Sequence, residues 1–155
     1  HIGDRRQRQM CIRDRNNTIE FVTIATTGNA SDFGDLISGQ TEKPAGASSS
    51  TRGLFICGES QPAGTRLNTI QFVTIATTGN ATDFGDRTVS GYNGGALSNS
   101  TRGCFVGGVT YPGATRQNVI DFVNIATTGN ASDFGDIAVV NVNSVGTMSD
   151  SHGGL

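Results

Sequence analysis

Residues 26–35 read TTGNASDFGD, residues 77–86 read TTGNATDFGD and residues 127–136 read TTGNASDFGD. Each copy follows a near-identical apolar run, and the asparagines that open those runs, Asn17, Asn68 and Asn118, are spaced by 51 and 50 residues. A second phrase recurs out of phase with the first, residues 50–55 (STRGLF) returning as residues 100–105 (STRGCF). Self-similarity at such a period points to an array of one supersecondary unit, because the unit cannot bury its apolar face without a neighbour.

The residues inside one unit predict strands. In residues 70–76 (IQFVTIA) β-branched and aromatic side chains dominate. Ile70 and Phe72 fall on one face and Val73 and Ile75 on the other, as in a strand covered on both sides. Thr77-Thr78-Gly79-Asn80 then reads as a hairpin in which Gly79 and Asn80 can both accept positive φ. The next strand carries Ala81, Asp83 and Phe84, with Leu36 and Ile137 in the other copies. A glycine- and alanine-rich strand over residues 91–97, a polar turn over 98–101 and a strand over 102–106 complete the unit. No helical period occurs, and 22 glycines against 3 prolines suit many tight turns. The expected class is therefore all-β. Four antiparallel strands per unit are the signature of a β-propeller blade, with a β-helical solenoid as the alternative.

The pattern of Arg102, Phe105, Gly107, Gly108, Asn118, Ile120 and Phe122 resembles a kelch repeat. The tryptophan usual in the last kelch strand is absent, and Phe33, Phe84 or Phe134 stands in that place. The repeated phrase is also similar to repeats in structural or fibre-like proteins of marine bacteriophages. These resemblances imply a kelch-like partial propeller over residues 16–155. Residues 16–36 would supply the last strands of one blade, 37–87 and 88–137 two blades, and 138–155 the start of another. Closed propellers need about four to eight blades. Missing blades or self-association would be needed to cover the open edges, so a monodisperse, cooperatively melting monomer would count against this layout.

Residues 1–15 differ in character and hold five of the 11 basic residues. Residues 5–15, RRQRQMCIRDR, resemble the in-frame translation of a transposase-based sequencing adapter. This implies a non-native, disordered segment on a metagenomic fragment whose true N-terminus and any signal sequence are missing. Without its five arginines and two aspartates, 6 basic residues face 11 acidic ones, a net charge of −5. An acidic chain is not expected to bind a nucleic-acid backbone. No run of about 18 apolar residues predicts a membrane-spanning helix.

Several motifs suggest chemistry, and repetition argues against each. Asp-Phe-Gly at Asp32, Asp83 and Asp133 is the magnesium signature of protein kinases, but a kinase needs it once, with a glycine-rich loop and a strand lysine that are missing. The aspartate pairs 32/35, 83/86 and 133/136 could hold calcium with Asn29, Asn80 or Asn130. The favoured alternative is that their carboxylates accept backbone N–H groups and fix the turn. The same asparagines head formal glycosylation sequons, which the turn also explains. Arg52, Arg66, Arg102 and Arg116 read as clamps pairing with a neighbouring unit's aspartate. Cys57 and Cys104 are not repeated and are expected to be small buried apolar residues, and His152 stands alone. No cofactor and no metal are expected.

Comparison of the units separates fixed from free positions. The TTGN segment and the Ser-Thr-Arg-Gly turn scarcely change, whereas residues 36–45, 59–65, 87–95, 109–115 and 137–145 differ between units. In a four-stranded unit the variable connections share one face, with Lys43, Glu59, Tyr92, Asn93 and Tyr111 as candidate ligand contacts. The expected function is a non-enzymatic structural or ligand-binding module that takes a protein or glycan at this face. By resemblance it would be a virion or extracellular adhesin. The alternative is a fragment of a kelch-type propeller enzyme, an oxidase or sugar-processing enzyme whose active site lies outside these residues.

Overall fold

The computed structural model describes residues 17–37, 41–42, 44–60, 64–110 and 113–139. They form β-strands and connections, with no helix. The first sheet pairs β1 (Thr18–Phe21) with β2 (Ser31–Asp35). In the second, β3 (Thr41–Glu42) and β4 (Ala45–Ser48) both pair with β5 (Arg52–Ser60), followed by β6 (Thr65–Thr74) and β7 (Thr82–Asp86). The third sheet runs β8 (Gly95–Ser98), β9 (Arg102–Val106), β10 (Val119–Asn124) and β11 (Ser132–Asp136) as an antiparallel meander.

One irregularity recurs in all three sheets and explains the Asp-Phe-Gly-Asp sequence. Ile70 pairs with Gly85 but Gln71 with Asp83, so Phe84 is an extra residue in β7; the same slip falls at Ile19/Glu20 and Ile120/Asp121. A β-bulge bends the edge strand and re-aims its side chain. Here it turns the phenylalanine onto the preceding strand's ring, edge to face, at 5.9, 5.8 and 5.9 Å in the three copies. The glycine after it carries the distorted backbone, with φ of 150°, 143° and 138° at Gly34, Gly85 and Gly135.

The sheets pack face to face. Ile19, Phe33 and Leu36 of the first sheet meet Phe55, Val73 and Ala81 of the second. On its other face the second sheet presents Leu54, Ile56, Ile70 and Phe84 to Ala96, Phe105, Val123 and Ile125 of the third. Since β5 and β6 are covered on both sides, their apolar residues do not alternate with polar ones, as expected for residues 70–76.

The TTGN segment departs from the expected hairpin. Residues 75–81 form a longer connection, and in this copy neither Gly79 nor Asn80 takes positive φ, although Gly129 in the third copy does, at 157°. The cause is an external partner. Gly79 N–H donates to Phe33 O at 2.7 Å, Ala81 N–H to Asp35 O at 2.8 Å, and Asp35 N–H to the Asn80 side-chain Oδ1 at 3.1 Å. The third copy repeats this on the second: Gly129 to Phe84 O at 2.7 Å, Ala131 to Asp86 O at 2.8 Å, and Asp86 N–H to Asn130 Oδ1 at 3.0 Å. The loop of one sheet thus covers the exposed edge of the sheet before it, satisfying backbone groups that an edge strand leaves unpaired.

Candidate recognition surface

Antiparallel pairing sorts the connections into two ends. At one end lie the fixed turns, held together where Ile75 N–H donates to Thr51 O and Ile125 N–H to Thr101 O. Ser49 and Asn99 shape those turns by accepting from the backbone N–H of Arg52 and Arg102. At the other end lie the variable connections, joined across sheets where Gly58 N–H donates to Gly91 O at 3.1 Å and Gly91 N–H to Leu67 O at 3.0 Å.

That junction brings together two of the expected contact residues. Glu59 and Arg66 face each other across β5 and β6, and Arg66 Nη1 donates to Glu59 Oε1 at 2.9 Å. The Arg66 guanidinium lies 4.5 Å from the centre of the Tyr92 ring and also donates to Gly64 O. Tyr92 is fixed by paired backbone bonds with Val109, and Asn93 follows in the left-handed conformation at φ 59°. An acidic, a basic and an aromatic group therefore share one patch, with a left-handed asparagine beside it. The cavity behind it, lined by Ala45, Ile56, Arg87 and Phe105 among others, holds about one water molecule, so any ligand sits on the patch rather than inside it. Lys43 and Tyr111 lie outside the described residues.

Arg52 and Arg102 depart from the expected aspartate clamp. Arg52 reaches the third sheet, but its Nη1 donates to the Ile125 carbonyl at 2.8 Å while the guanidinium stacks on Phe72 at 4.6 Å. Arg102 stacks on Phe122 at 5.1 Å. An ion pair between sheets comes instead from Arg87, in a variable stretch of the repeat. Arg87 Nε donates to Asp121 Oδ2 at 2.7 Å, and the Thr88 hydroxyl to Asp121 Oδ1 at 2.5 Å; both charged side chains are buried. At the corresponding place in the first joint, Ile37 N–H donates to the Gln71 side-chain Oε1 at 2.6 Å.

The repeated aspartates also act differently from expectation. Asp35 and Asp86 join the sheets through their backbone groups, and the asparagine side chains are the acceptors. Asp133 accepts as expected, from Gly135 N–H at 3.1 Å. No group of three or more histidine, cysteine, aspartate or glutamate side chains among the described residues is placed to hold a metal ion. Cys104 is half-buried rather than buried, because no described sheet covers the outer face of the third sheet. Burial pushes its thiol pKa up, against the pull of Arg102, which leaves it a poor nucleophile at neutral pH.

No protein-family model matches the chain. No curated protein matches it either.

Proposed function

We propose that the protein is a non-enzymatic module built as part of a kelch-like β-propeller, carried on a virion appendage or adhesin, that binds a protein or glycan at its variable-loop end. The supporting observation is the division of labour between the two ends. One is spent on joining sheet to sheet through repeated sequence, while the other differs from unit to unit and gathers Glu59, Arg66 and Tyr92. A half-buried aromatic ring, one face covered by the Arg66 guanidinium and the other receiving a sugar's C–H face, beside a paired arginine and carboxylate that can reach its hydroxyls, suits a sugar. Binding of the full chain to a glycan array and to bacterial envelope preparations tests this. Tyr92→Ala and Arg66→Ala should weaken capture at least roughly tenfold, the effect of losing about 1.4 kcal/mol of contact. Thr78→Ala, at the fixed end, should leave it unchanged. Absence of capture, or capture indifferent to Tyr92 and Arg66, overturns the proposal.

A further inference from the structure

The two internal joints use the same donors and acceptors, and among the described residues one further half of each kind is left. The first TTGNA segment, residues 26–30, is exposed; Ala30 in particular is exposed where Ala81 is buried and Ala131 half-buried in the internal joints. Val22 is 56 % exposed, whereas its counterparts Val73 and Val123 are 8 % and 3 % exposed inside the joints. Ile24 is 97 % exposed, against 46 % for Ile75 and 1 % for Ile125. At the opposite end of the stack, Phe134 on β11 is 57 % exposed against 2 % for Phe84, and no described atom lies within 4 Å of where a Gly135 side chain would start. At Gly34 and Gly85 that position is occupied by the neighbouring loop's Gly79 and Gly129 carbonyls, at 2.3 and 2.4 Å.

We infer that the protein self-associates head to tail, the residue 26–30 loop of one copy docking on β11 of another as the internal loops dock on β2 and β7. Transferring the internal bonds by repeat position fixes the new ones. Gly28 N–H donates to Phe134 O, Ala30 N–H to Asp136 O, and Asp136 N–H to Asn29 Oδ1. The Arg102 guanidinium takes the Ile24 carbonyl, as Arg52 takes that of Ile125. Ala138 N–H takes the Glu20 carboxylate, as Ile37 N–H takes Gln71. Val22 of one copy packs on Ile120, Phe122 and Phe134 of the other. The new joint matches the first internal one in kind, since Ile137 stands where Leu36 does and glutamate replaces glutamine without change of shape.

A head-to-tail contact uses two different surfaces, so copies close into a ring or extend as a chain, and blocking either surface stops growth. This does not depend on what the variable loops bind. The test is light scattering and sedimentation of the full chain over a range of concentrations, with variants of each surface. Wild type should form concentration-dependent oligomers. Val22→Asp/Asn29→Ala and Phe134→Asp should each be monomeric, and their equimolar mixture should form a heterodimer and stop there. Asn29→Ala alone should weaken association by roughly five- to tenfold, the effect of one hydrogen bond. Because Phe134 packs on Phe122, Ala138→Pro, which removes one donor at an exposed site, provides a second block of the same surface. Thermal unfolding of dilute samples establishes that the variants fold. A wild-type monomer at every concentration, a folded single-surface variant that still self-associates, or a mixture that stays monomeric overturns the inference.

Discussion

Gly85→Ala is expected to lower stability by about 4 kcal/mol in urea unfolding, while the same change at Gly135 should remove only about 2 kcal/mol. Both glycines have nearly the same backbone, with φ of 143° and 138°, so the strain of placing a side chain there is common to the two variants. They differ in what the new Cβ meets. At Gly85 it would lie 2.4 Å from the Gly129 carbonyl oxygen and 2.9 Å from the Asn130 nitrogen, which is backbone that cannot rotate away. The loop must retreat, and the bonds from Gly129 and Ala131 to Phe84 and Asp86 stretch or break with it. The difference between the variants therefore measures the joint itself. Equal losses would mean that the loop contributes nothing to holding the sheets together.

The second large effect concerns the ion pair buried between the second and third sheets. Arg87→Leu alone should cost about 3–5 kcal/mol, because it strands the fully buried Asp121 carboxylate without its cation. Adding Asp121→Gln should restore at least half of that loss. The double variant recreates the first joint, where Leu36 and Gln71 hold these positions and the glutamine accepts from backbone. A double variant as unstable as the single one would show that the two joints are not interchangeable in chemistry.

How much of this was legible in the sequence depended on whether a residue's partner lay in its own unit. The strand over residues 102–106 has the same bounds in the structure as in the sequence reading, because arginine, β-formers and a glycine pair define it locally. The two-sided burial of residues 70–76 was legible for the same reason, in its broken alternation. TTGN was misread as a tight hairpin because Phe33 and Asp35, its real partners, lie some 45 residues upstream in another unit. Arg87 looked like one more free position in a variable stretch. The signal that would have found it is a matched difference between successive units: Leu36 against Gln71, then Arg87 against Asp121. The Glu59–Arg66–Tyr92 patch is half legible, since two of its members stand out by their variability between units while Arg66 reads as a clamp.

Amide hydrogen exchange at the repeated loops tests most directly whether TTGNA segments join neighbouring sheets. At low protein concentration Gly79, Ala81, Gly129 and Ala131 should exchange slowly, at rates approaching those of the core strands, while Gly28 and Ala30 in the identical sequence of the first copy exchange freely. Equal, rapid exchange in all three copies would contradict it, because the loops would then be solvated turns and the sheets would be held by side-chain packing alone.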